Sequence, residues 1–303
     1  MAGELNALQK VDLEILREVV SICVGHDLSY YALGGTLLGA VRHQGFIPWD
    51  DDIDIAMPRP DYDVLLKVCE LELPDQYVVQ NYRTMPDDPA PTYMTRVGRV
   101  GTLVSYGVAN EAKEMPIWID VFPLDAMPTN KVLRTYQKYR LLYQRLKFQF
   151  STYETNAHQH KPNRPMHEKA LMRFREVTKL GSNWNPAEML AETERVARRF
   201  DYESEDYFVN LFGAYKFREM FPKSWFGGGL ELPFEDGTIR CPVEYDKVLT
   251  QMYGDYMQLP REEDRDLHHC ITVLKLPDDP STAGAMRADE QAYEAAASGT
   301  SDV

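Results

Sequence analysis

The segment GFIPWDDDIDIAM, residues 45–57, combines a run of aspartates with the apolar alternation of a β-strand over residues 49–56. Successive side chains of a strand point to opposite faces of a sheet. Asp52 and Asp54 would therefore share one face, while Ile53 and Ile55 would point into the core. Carboxylates this close repel each other unless a cation lies between them, so the segment predicts an acidic site at the edge of an α/β core.

A divalent metal ion is the expected partner of this acidic pair. Carboxylate oxygens are hard ligands that suit Mg²⁺ or Mn²⁺ carrying the phosphates of a nucleotide. A solvated acidic loop is the common alternative for such a run. An EF-hand calcium loop is excluded, because a loop starting at Asp50 would have Ile55 in place of the required glycine and Asp61 in place of the final Glu.

A third carboxylate interrupts another apolar strand pattern, over residues 117–122. A buried aspartate needs a charged partner or a metal. Asp120 is therefore a candidate to complete a three-carboxylate site and to orient or deprotonate an acceptor hydroxyl. The alternative is a strand-end aspartate that caps residues 123–127. Asp125 is a weaker candidate of the same kind.

A glycine turn precedes the acidic segment. The short apolar strand 30–33 ends at Gly34 and Gly35, and Thr36 is placed to cap a helix over residues 37–42. Backbone N–H groups at such a turn can bind phosphate oxygens. An ordinary strand-to-helix turn is the alternative.

The rest of the chain predicts a mixed α/β (α+β) fold with a helical second half. Periodicity predicts further helices over residues 8–22, 61–70, 131–150, 166–180, 186–200 and 244–253, with Gln9 and Asp12 among the polar residues of the first. It predicts further strands over residues 77–80, 93–97, 102–105 and 117–122 and a hairpin over 230–241.

We expect one catalytic domain over residues 1–276, with a core at about 25–128, a helical region at about 130–215 and a hairpin and helix at about 228–276. Residues 277–303 have the composition of a disordered tail.

The composition limits the possible partners. A formal charge of -14 and an acidic isoelectric point near 5.0 disfavour broad binding of DNA, RNA or anionic lipid. No apolar run is long enough to span a bilayer, so we expect a cytoplasmic protein, or one peripheral at the inner face of the membrane. The four cysteines lack metal-binding spacing and are expected to be reduced thiols.

Three segments together resemble the signature of the LicD family: YALGGTLLGAVRH (residues 31–43), GFIPWDDDID (45–54) and IDVFPLD (119–125). Family-like segments also occur near the carboxyl end, LPFE (232–235) and YGDY (253–256). The family comprises phosphotransferases that decorate bacterial cell-surface glycans, typically with phosphocholine from CDP-choline. It is related to the fukutin-related glycan phosphotransferases.

The resemblance implies a nucleotidyltransferase-like core and a set of site residues. Asp52, Asp54 and Asp120 would be the catalytic acids and the ligands of Mg²⁺ or Mn²⁺. The donor phosphates would be bound by Gly34, Gly35, Thr36, Arg42, His43, Arg265 and His268, with the role of His269 left open.

The implied reaction moves phosphocholine, or a similar polyol phosphate, from a CDP-activated donor to a hydroxyl of a glycan or its precursor, including a lipid-linked one. One rival is an enzyme of the same fold that transfers a nucleotide monophosphate to a small molecule. The other is a non-catalytic relative that binds a metal or a nucleotide.

Overall fold

The computed structural model describes residues 5–106, 113–156, 166–261 and 271–276. The helices in these ranges are α1 (Ala7–Gly25), α2 (Gly34–His43), α3 (Arg59–Glu72), α4 (Lys131–Ser151), α5 (Tyr153–Asn156), α6 (Met166–Thr178), α7 (Pro186–Ala197) and α8 (Tyr245–Tyr253). The strands are β1 (Tyr31–Ala32), β2 (Asp54–Pro58), β3 (Tyr77–Gln80), β4 (Thr95–Tyr106), β5 (Lys113–Met127), β6 (Tyr207–Asn210), β7 (Met220–Pro222), β8 (Leu230–Phe234), β9 (Gly237–Cys241) and β10 (Ile271–Lys275).

The long strand β5 organises the main sheet, because it pairs with β4, β2 and β6 along successive parts of its length. Its pairing with β2 is parallel, and its pairing with β4 and β6 is antiparallel. The parallel register sets Asp54 beside Asp120. The topology therefore joins two acids that are distant in sequence.

One hydrophobic core joins both ends of the described chain. It contains apolar residues of α1 such as Leu8 and Ile15, of β5, and of the carboxyl-terminal hairpin and α8, such as Ile239 and Met252. Helix α1 starts with a capping box, in which the Asn6 side chain accepts from the Gln9 backbone N–H while the Gln9 side chain accepts from the Asn6 N–H. The division of the chain into three regions stays a prediction.

The hairpin of β8 and β9 is attached to the segment after α2. The Glu235 carboxylate accepts a hydrogen bond of 2.8 Å from the Phe46 N–H, and the Glu235 N–H donates to the Gln44 carbonyl at 2.9 Å. A Cβ at Gly45 would lie 2.0 Å from the Glu235 carboxylate, so this contact requires glycine. The hairpin thus holds the start of the acidic segment.

The mixed α/β fold predicted from the sequence is confirmed, with corrections in detail. Strands predicted at residues 93–97 and 102–105 form the single strand β4. The second half contains helices α4 to α8 but also the strands β6, β7 and β10, which were not predicted. These strands are three to five residues long, and it is their pairing with β5, β6 and β4, not a local pattern, that makes them strands.

Two local predictions around the acidic segment were wrong. The strand begins at Asp54, not at residue 49, because the Asp54 N–H donates to the Thr36 hydroxyl at 2.8 Å and regular pairing starts only there. Helix α2 begins at Gly34, and Leu33 occupies its N-cap position. Thr36 is therefore inside the first turn of α2 and does not cap it. Asp52 precedes the strand and does not share its pleat with Asp54.

Asp125 is part of the core and not of an acidic site. Its two carboxylate oxygens accept from the Arg59 guanidinium at 2.7 and 2.9 Å, and one also accepts from the Tyr93 hydroxyl at 2.9 Å. Arg59 and Asp125 are buried, and the Asp125 charge helps to raise the pKa of Arg59 against the effect of burial. This bidentate pair attaches the start of α3 to β5.

Other predictions concern termini and thiols. Cys23, Cys69 and Cys241 are free, buried thiols, as predicted, whereas Cys270 and the proposed disordered tail lie outside the described residues. Within the described ranges, no helix has both the length and the apolar character needed to cross a bilayer.

Substitution of Asp125 by alanine should lower the free energy of unfolding by about 3–5 kcal/mol, because Arg59 would remain buried without its main counter-charge. Urea unfolding followed by circular dichroism measures the loss. As a control, Glu244→Ala breaks an exposed ion pair with Lys247 and should cost at most about 1 kcal/mol. Equal losses in the two variants would contradict a supporting role for the buried pair.

Candidate active site

The acidic segment forms a loop between α2 and β2. Asp50 and Asp51 are buried, and Asp52 and Asp54 are half-buried. Asp50, Asp51 and Asp52 each offer an oxygen atom, and these atoms lie within 4.8 Å of one another. Each of the three has further interactions within the chain, and the burial of Asp50 and Asp51 contradicts the alternative of a simply solvated loop.

A cleft of about 570 Å³ opens beside this loop. Its first wall contains the amino end of α2 and the acidic loop, with Gly34, Gly35, Asp50, Asp52 and Asp54. Its second wall comes from sequence far downstream, with Asn210, Gly213, Tyr215, Glu219 and Tyr253. The fold thus creates an acidic cleft between the amino-terminal and carboxyl-terminal parts of the core.

Carboxylates dominate the electrostatics of this cleft. Burial raises the pKa of Asp54 well above its ordinary value of 3.8, and the charges of Asp52, Asp120, Asp50 and Glu219 raise it further, in that order. A bound divalent cation would reverse this repulsion. The oxygen-only donor set, with atoms within 4.8 Å of one another, fits a hard ion such as Mg²⁺ or Mn²⁺.

Asp120 stands beside Asp54 in the sheet and is not among the residues that line the cleft. Its carboxylate accepts from the Arg96 Nε at 3.2 Å, and the Arg96 guanidinium lies 4.6 Å over the Trp118 ring. Burial raises the pKa of Asp120, and Arg96 lowers it. The strand-end capping role is wrong, because β5 continues to Met127.

The glycines at the start of α2 allow the helix to approach the carboxylates. Gly34 has a φ of +60°, and a Cβ there would lie 2.8 Å from an Asp54 carboxylate oxygen. A Cβ at Gly35 would lie 2.4 Å from Asp50. The first-turn N–H groups of a helix have no intrahelical acceptor, so this end of α2 offers donors and a partial positive charge to the cleft.

The other predicted donor-binding residues are located elsewhere. Arg42 and His43 are in the last turn of α2, at the end opposite Gly34. Arg42 donates to His43 Nε2 and to the Tyr256 carbonyl, both at 3.0 Å. Neither residue lines the cleft. Arg265, His268 and His269 lie outside the described residues.

Glu219 is a cleft residue that the sequence reasoning missed. It is buried, and burial raises its pKa from 4.5 to about 7 against the opposing effect of its partners. Its carboxylate accepts from Asn210 Nδ2 at 2.7 Å and from the Tyr215 N–H at 2.8 Å. A Cβ at Gly213 would lie 2.0 Å from this carboxylate. No motif distinguishes Glu219 from other glutamates, so the sequence contains no signal for it.

Two tyrosines complete the second wall. The rings of Tyr215 and Tyr253 meet edge to face with centroids 5.1 Å apart. The pKa of Tyr253 is raised by burial first and then by the charges of Tyr215, Asp54 and Glu219. The tyrosines therefore lie beside the carboxylates of both walls.

Asp12 is another acid near the site, and its predicted position was wrong. It was expected on the polar face of α1, but only 1% of it is exposed, and its carboxylate has no hydrogen-bond partner within the described residues. Burial raises the pKa of Asp12 well above 3.8, and the charges of Asp52, Asp51, Asp120 and Asp50 raise it further, in that order. One turn earlier, Gln9 Nε2 donates to the Asp50 carbonyl at 3.0 Å. The spacing of Asp12 four residues from both Leu8 and Leu16 was the available signal.

Fold and site together define a mixed α/β protein with an acidic, phosphate-compatible cleft at the amino end of a short helix. Residues 27–155 match the family described as LicD/FKTN/FKRP, nucleotidyltransferase domain. The chain therefore contains a LicD-family domain, and the resemblance predicted from its motifs is confirmed.

Similar proteins support this assignment. The lipopolysaccharide cholinephosphotransferase LicD of Haemophilus influenzae is 29% identical over 269 residues, which cover 88% of this chain and 96% of the relative. Uncharacterized proteins of Rickettsia prowazekii and Rickettsia typhi are each 42% identical over 48 residues, 16% of this chain.

Replacement of Asp12 by asparagine should raise the melting temperature in EDTA at neutral pH, by ~2 °C for each kcal/mol of repulsion removed. The folded protein keeps a proton on Asp12 to higher pH than the unfolded chain does, so stability falls as the pH rises above 3.8. The variant should show a weaker fall between pH 5 and pH 8 in scanning calorimetry, roughly the range above the unfolded pKa. An unchanged pH dependence, or a large loss of stability, would contradict a repulsive role.

Proposed function

We propose that this chain is a metal-dependent phosphotransferase that moves phosphocholine from CDP-choline to a hydroxyl of a lipopolysaccharide glycan or its precursor. The proposed setting is the cytoplasm, at the inner face of the membrane. The observation that carries the proposal is the cleft, in which an acidic loop and a helix amino terminus face Glu219 and two tyrosines.

The enzyme class, a transferase of phosphorus-containing groups, follows from the family domain and from the Haemophilus influenzae relative. That relative is a lipopolysaccharide cholinephosphotransferase, aligned over nearly its whole length. This relationship supports choline as the head group and lipopolysaccharide as the acceptor.

The acidic loop is the proposed metal site. Asp50, Asp51 and Asp52 bring carboxylate oxygens within 4.8 Å of one another, and Asp54 lines the same cleft as Asp50 and Asp52. Asp52 and Asp54 would hold Mg²⁺ or Mn²⁺ with Asp50 beside them, and Asp120 is paired with Asp54 in the sheet. When bound, such an ion neutralises donor phosphates and stabilises the charge that develops on the leaving phosphate. The Asp120 carboxylate is held by Arg96, and its charge adds to the negative potential at Asp54 that a cation would offset.

The amino end of α2 is the proposed phosphate-binding element. Gly34 and Gly35 line the cleft without side chains, so donor oxygens can reach their N–H groups. Thr36 acts indirectly, because its hydroxyl accepts from the Asp54 N–H. The helix and the acidic loop thus hold the diphosphate between them.

Glu219 is the proposed general base. In the transfer, the acceptor oxygen forms a bond to the phosphorus that bears choline, the bond from that phosphorus to the bridging oxygen of the diphosphate breaks, and cytidine monophosphate leaves. The acceptor proton passes to the Glu219 carboxylate. A pKa of about 7 suits this exchange near neutral pH.

Tyr215 and Tyr253 are the proposed head-group site. Aromatic faces attract a quaternary ammonium through their π-systems. Both rings line the cleft, and both lie near the Glu219 charge. A polyol head group would lack this attraction, so the tyrosines favour choline over glycerol or ribitol.

Calorimetric titration of CDP-choline should show binding in Mg²⁺ and little or none in EDTA, because an acidic cleft repels a diphosphate without a cation. CDP-glycerol, CDP-ribitol, UDP-glucose and ATP serve as comparisons. Asp54→Asn, which keeps the shape of the side chain, should lower turnover by about 10²-fold or more.

Several outcomes would overturn the proposal. Tight binding of ATP or UDP-glucose with no cytidine ester bound would exclude the donor, and equal binding in EDTA would exclude the metal. A product that carries cytidine monophosphate in place of phosphocholine would indicate the rival nucleotidyltransferase reaction.

The Glu219→Gln variant should bind CDP-choline normally but turn over about 10²–10⁴-fold more slowly, since it cannot accept the proton. For the unaltered enzyme, kcat/KM should rise with pH through about 7, where Glu219 loses its proton. The variant should lack this rise. A variant with full activity and the same pH profile would remove Glu219 from the reaction.

A Tyr253→Leu substitution should weaken CDP-choline binding about 10-fold while leaving CDP-glycerol binding unchanged, because only the ammonium depends on the ring. Leucine retains apolar packing at the end of α8. Equal losses for both donors would show that Tyr253 supports the cleft without recognising choline.

A further inference from the structure

Helix α4 carries an exposed apolar stripe. Val132, Tyr136, Tyr139 and Tyr143 are spaced four, three and four residues apart and therefore lie on one face of the helix. Their exposed fractions are 76%, 55%, 66% and 60%. The opposite face, with Gln137, Leu141 and Gln144, is buried. The stripe is thus the outer face of a helix whose inner face is already packed.

The charges of α4 differ from those of the whole chain. The chain has a formal charge of -14, yet every charged residue of α4 is basic: Lys131, Arg134, Lys138, Arg140, Arg145 and Lys147. A cationic helix on an acidic protein indicates an anionic partner at this face.

Some of these cations are already used inside the protein. Arg134 donates to the Pro128 and Thr129 carbonyls at 3.2 and 3.3 Å, Arg145 donates to the Leu211 carbonyl, and Lys147 pairs with Glu192. Lys131, Lys138 and Arg140 form no ion pair with a carboxylate of the described chain. Of these, Lys138 Nζ lies 5.3 Å over the Phe217 ring, and Arg140 Nη1 is buried.

The remaining cations are close to the stripe. On a helical projection, Lys131 and Lys138 flank the stripe on one side and Arg140 flanks it on the other. The Arg140 guanidinium lies 5.7 Å over the Tyr136 ring. The aromatic stripe is therefore bordered by positive charge on both sides.

We propose that this face of α4 binds the surface of a membrane that contains anionic phospholipids. Tyrosine rings favour the level of the lipid head groups. Lys131 and Lys138 would contact lipid phosphates, as basic residues of interfacial helices do, while Arg140, whose Nη1 is buried, supports the Tyr136 ring. Salt screens the repulsion between the anionic membrane and the acidic residues elsewhere on the protein beyond a Debye length of about 8 Å.

A second copy of the chain fits this face less well. In a symmetric dimer the same face would meet itself, which would oppose cations to cations. An anionic bilayer offers an apolar region that the exposed stripe can enter and negative charges that complement the flanking cations.

Helix α4 lies next to the cleft, so membrane binding through α4 would place the cleft near the bilayer. The inner face of α4 contacts the second wall of the cleft, since Arg145 donates to the Leu211 carbonyl and its charge opposes the rise in the pKa of Glu219. A docked α4 would hold the cleft near the bilayer, where a lipid-linked acceptor lies. Membrane binding itself is independent of the transfer reaction.

The test is cosedimentation with vesicles of phosphatidylglycerol and phosphatidylcholine in equal parts, compared with phosphatidylcholine alone. The protein should bind the anionic vesicles at low salt and release them at high salt. Lys131→Glu with Lys138→Glu should lower binding about 30-fold, roughly fivefold for each cation lost.

The matched control is Lys10→Glu with Lys67→Glu, on the exposed faces of α1 and α3. Each substitution lowers the charge by two, so both double variants go from -14 to -18. The control should bind like the unaltered protein. Equal loss in the control would show a net-charge effect and overturn the assignment to α4.

A second pair of variants tests the stripe. Tyr139→Ser with Tyr143→Ser should weaken vesicle binding, whereas Val24→Ser with Leu71→Ser, which alters residues exposed to 67% and 85%, should not. Circular dichroism and melting temperature establish that each variant is folded.

Further outcomes separate this proposal from its rivals. Asp54→Asn should bind vesicles normally, so a failure of the proposed reaction leaves the docking result intact. Absence of binding to anionic vesicles would overturn the proposal, as would light scattering that shows a dimer dissociated by the tyrosine substitutions.

Discussion

Mutual repulsion among the carboxylates of the loop before β2 is the constraint on which this structure depends. Asp50, Asp51 and Asp52 have oxygens within 4.8 Å of one another, and Asp54 follows directly. The surrounding core adds acids to this cluster, because Asp120 is paired with Asp54 in the sheet and the buried Asp12 of α1 has its pKa raised by burial and by the charges of the cluster. Folding thus concentrates negative charge in a region of low polarity, which is unfavourable unless protons or a cation offset it.

Close packing of backbone makes the cluster possible. The parallel register of β2 and β5 brings Asp54 and Asp120 together, and Arg96 compensates part of the charge behind them. In front, Gly34 and Gly35 let the amino end of α2 approach within contact distance of Asp54 and Asp50. The positive end of the helix is thereby directed at the acids without a cationic side chain. Donor phosphates could then be bound by backbone groups and by a metal, in agreement with phosphoryl transfer as a problem of positioning.

Charge is segregated along the chain. The cleft is lined by carboxylates and the chain has a formal charge of -14, while every charged residue of α4 is basic and α4 presents aromatic residues outward. The inner face of the same helix contacts the wall that holds Glu219. One helix therefore links the outer surface proposed to bind anionic lipid with the side of the cleft opposite the acidic loop. The proposed lipid-linked acceptor would thus be met on the side of the cleft that holds Glu219.

The sequence by itself determined the local features of this protein. The acidic segment, the glycine turn, most helices, the carboxyl-terminal hairpin and the LicD-family motifs could be predicted, because hydrophobic periodicity and motif spacing are encoded by neighbouring residues. Only the tertiary structure decided which distant residues meet. Glu219 and Tyr253 both reach the cleft beside Tyr215, Asp125 belongs to the buried Arg59 pair, and Asp12 is buried in α1. Such contacts depend on sheet register and helix packing. These bring together residues that are distant in sequence, and the local sequence around each residue does not specify its distant partner.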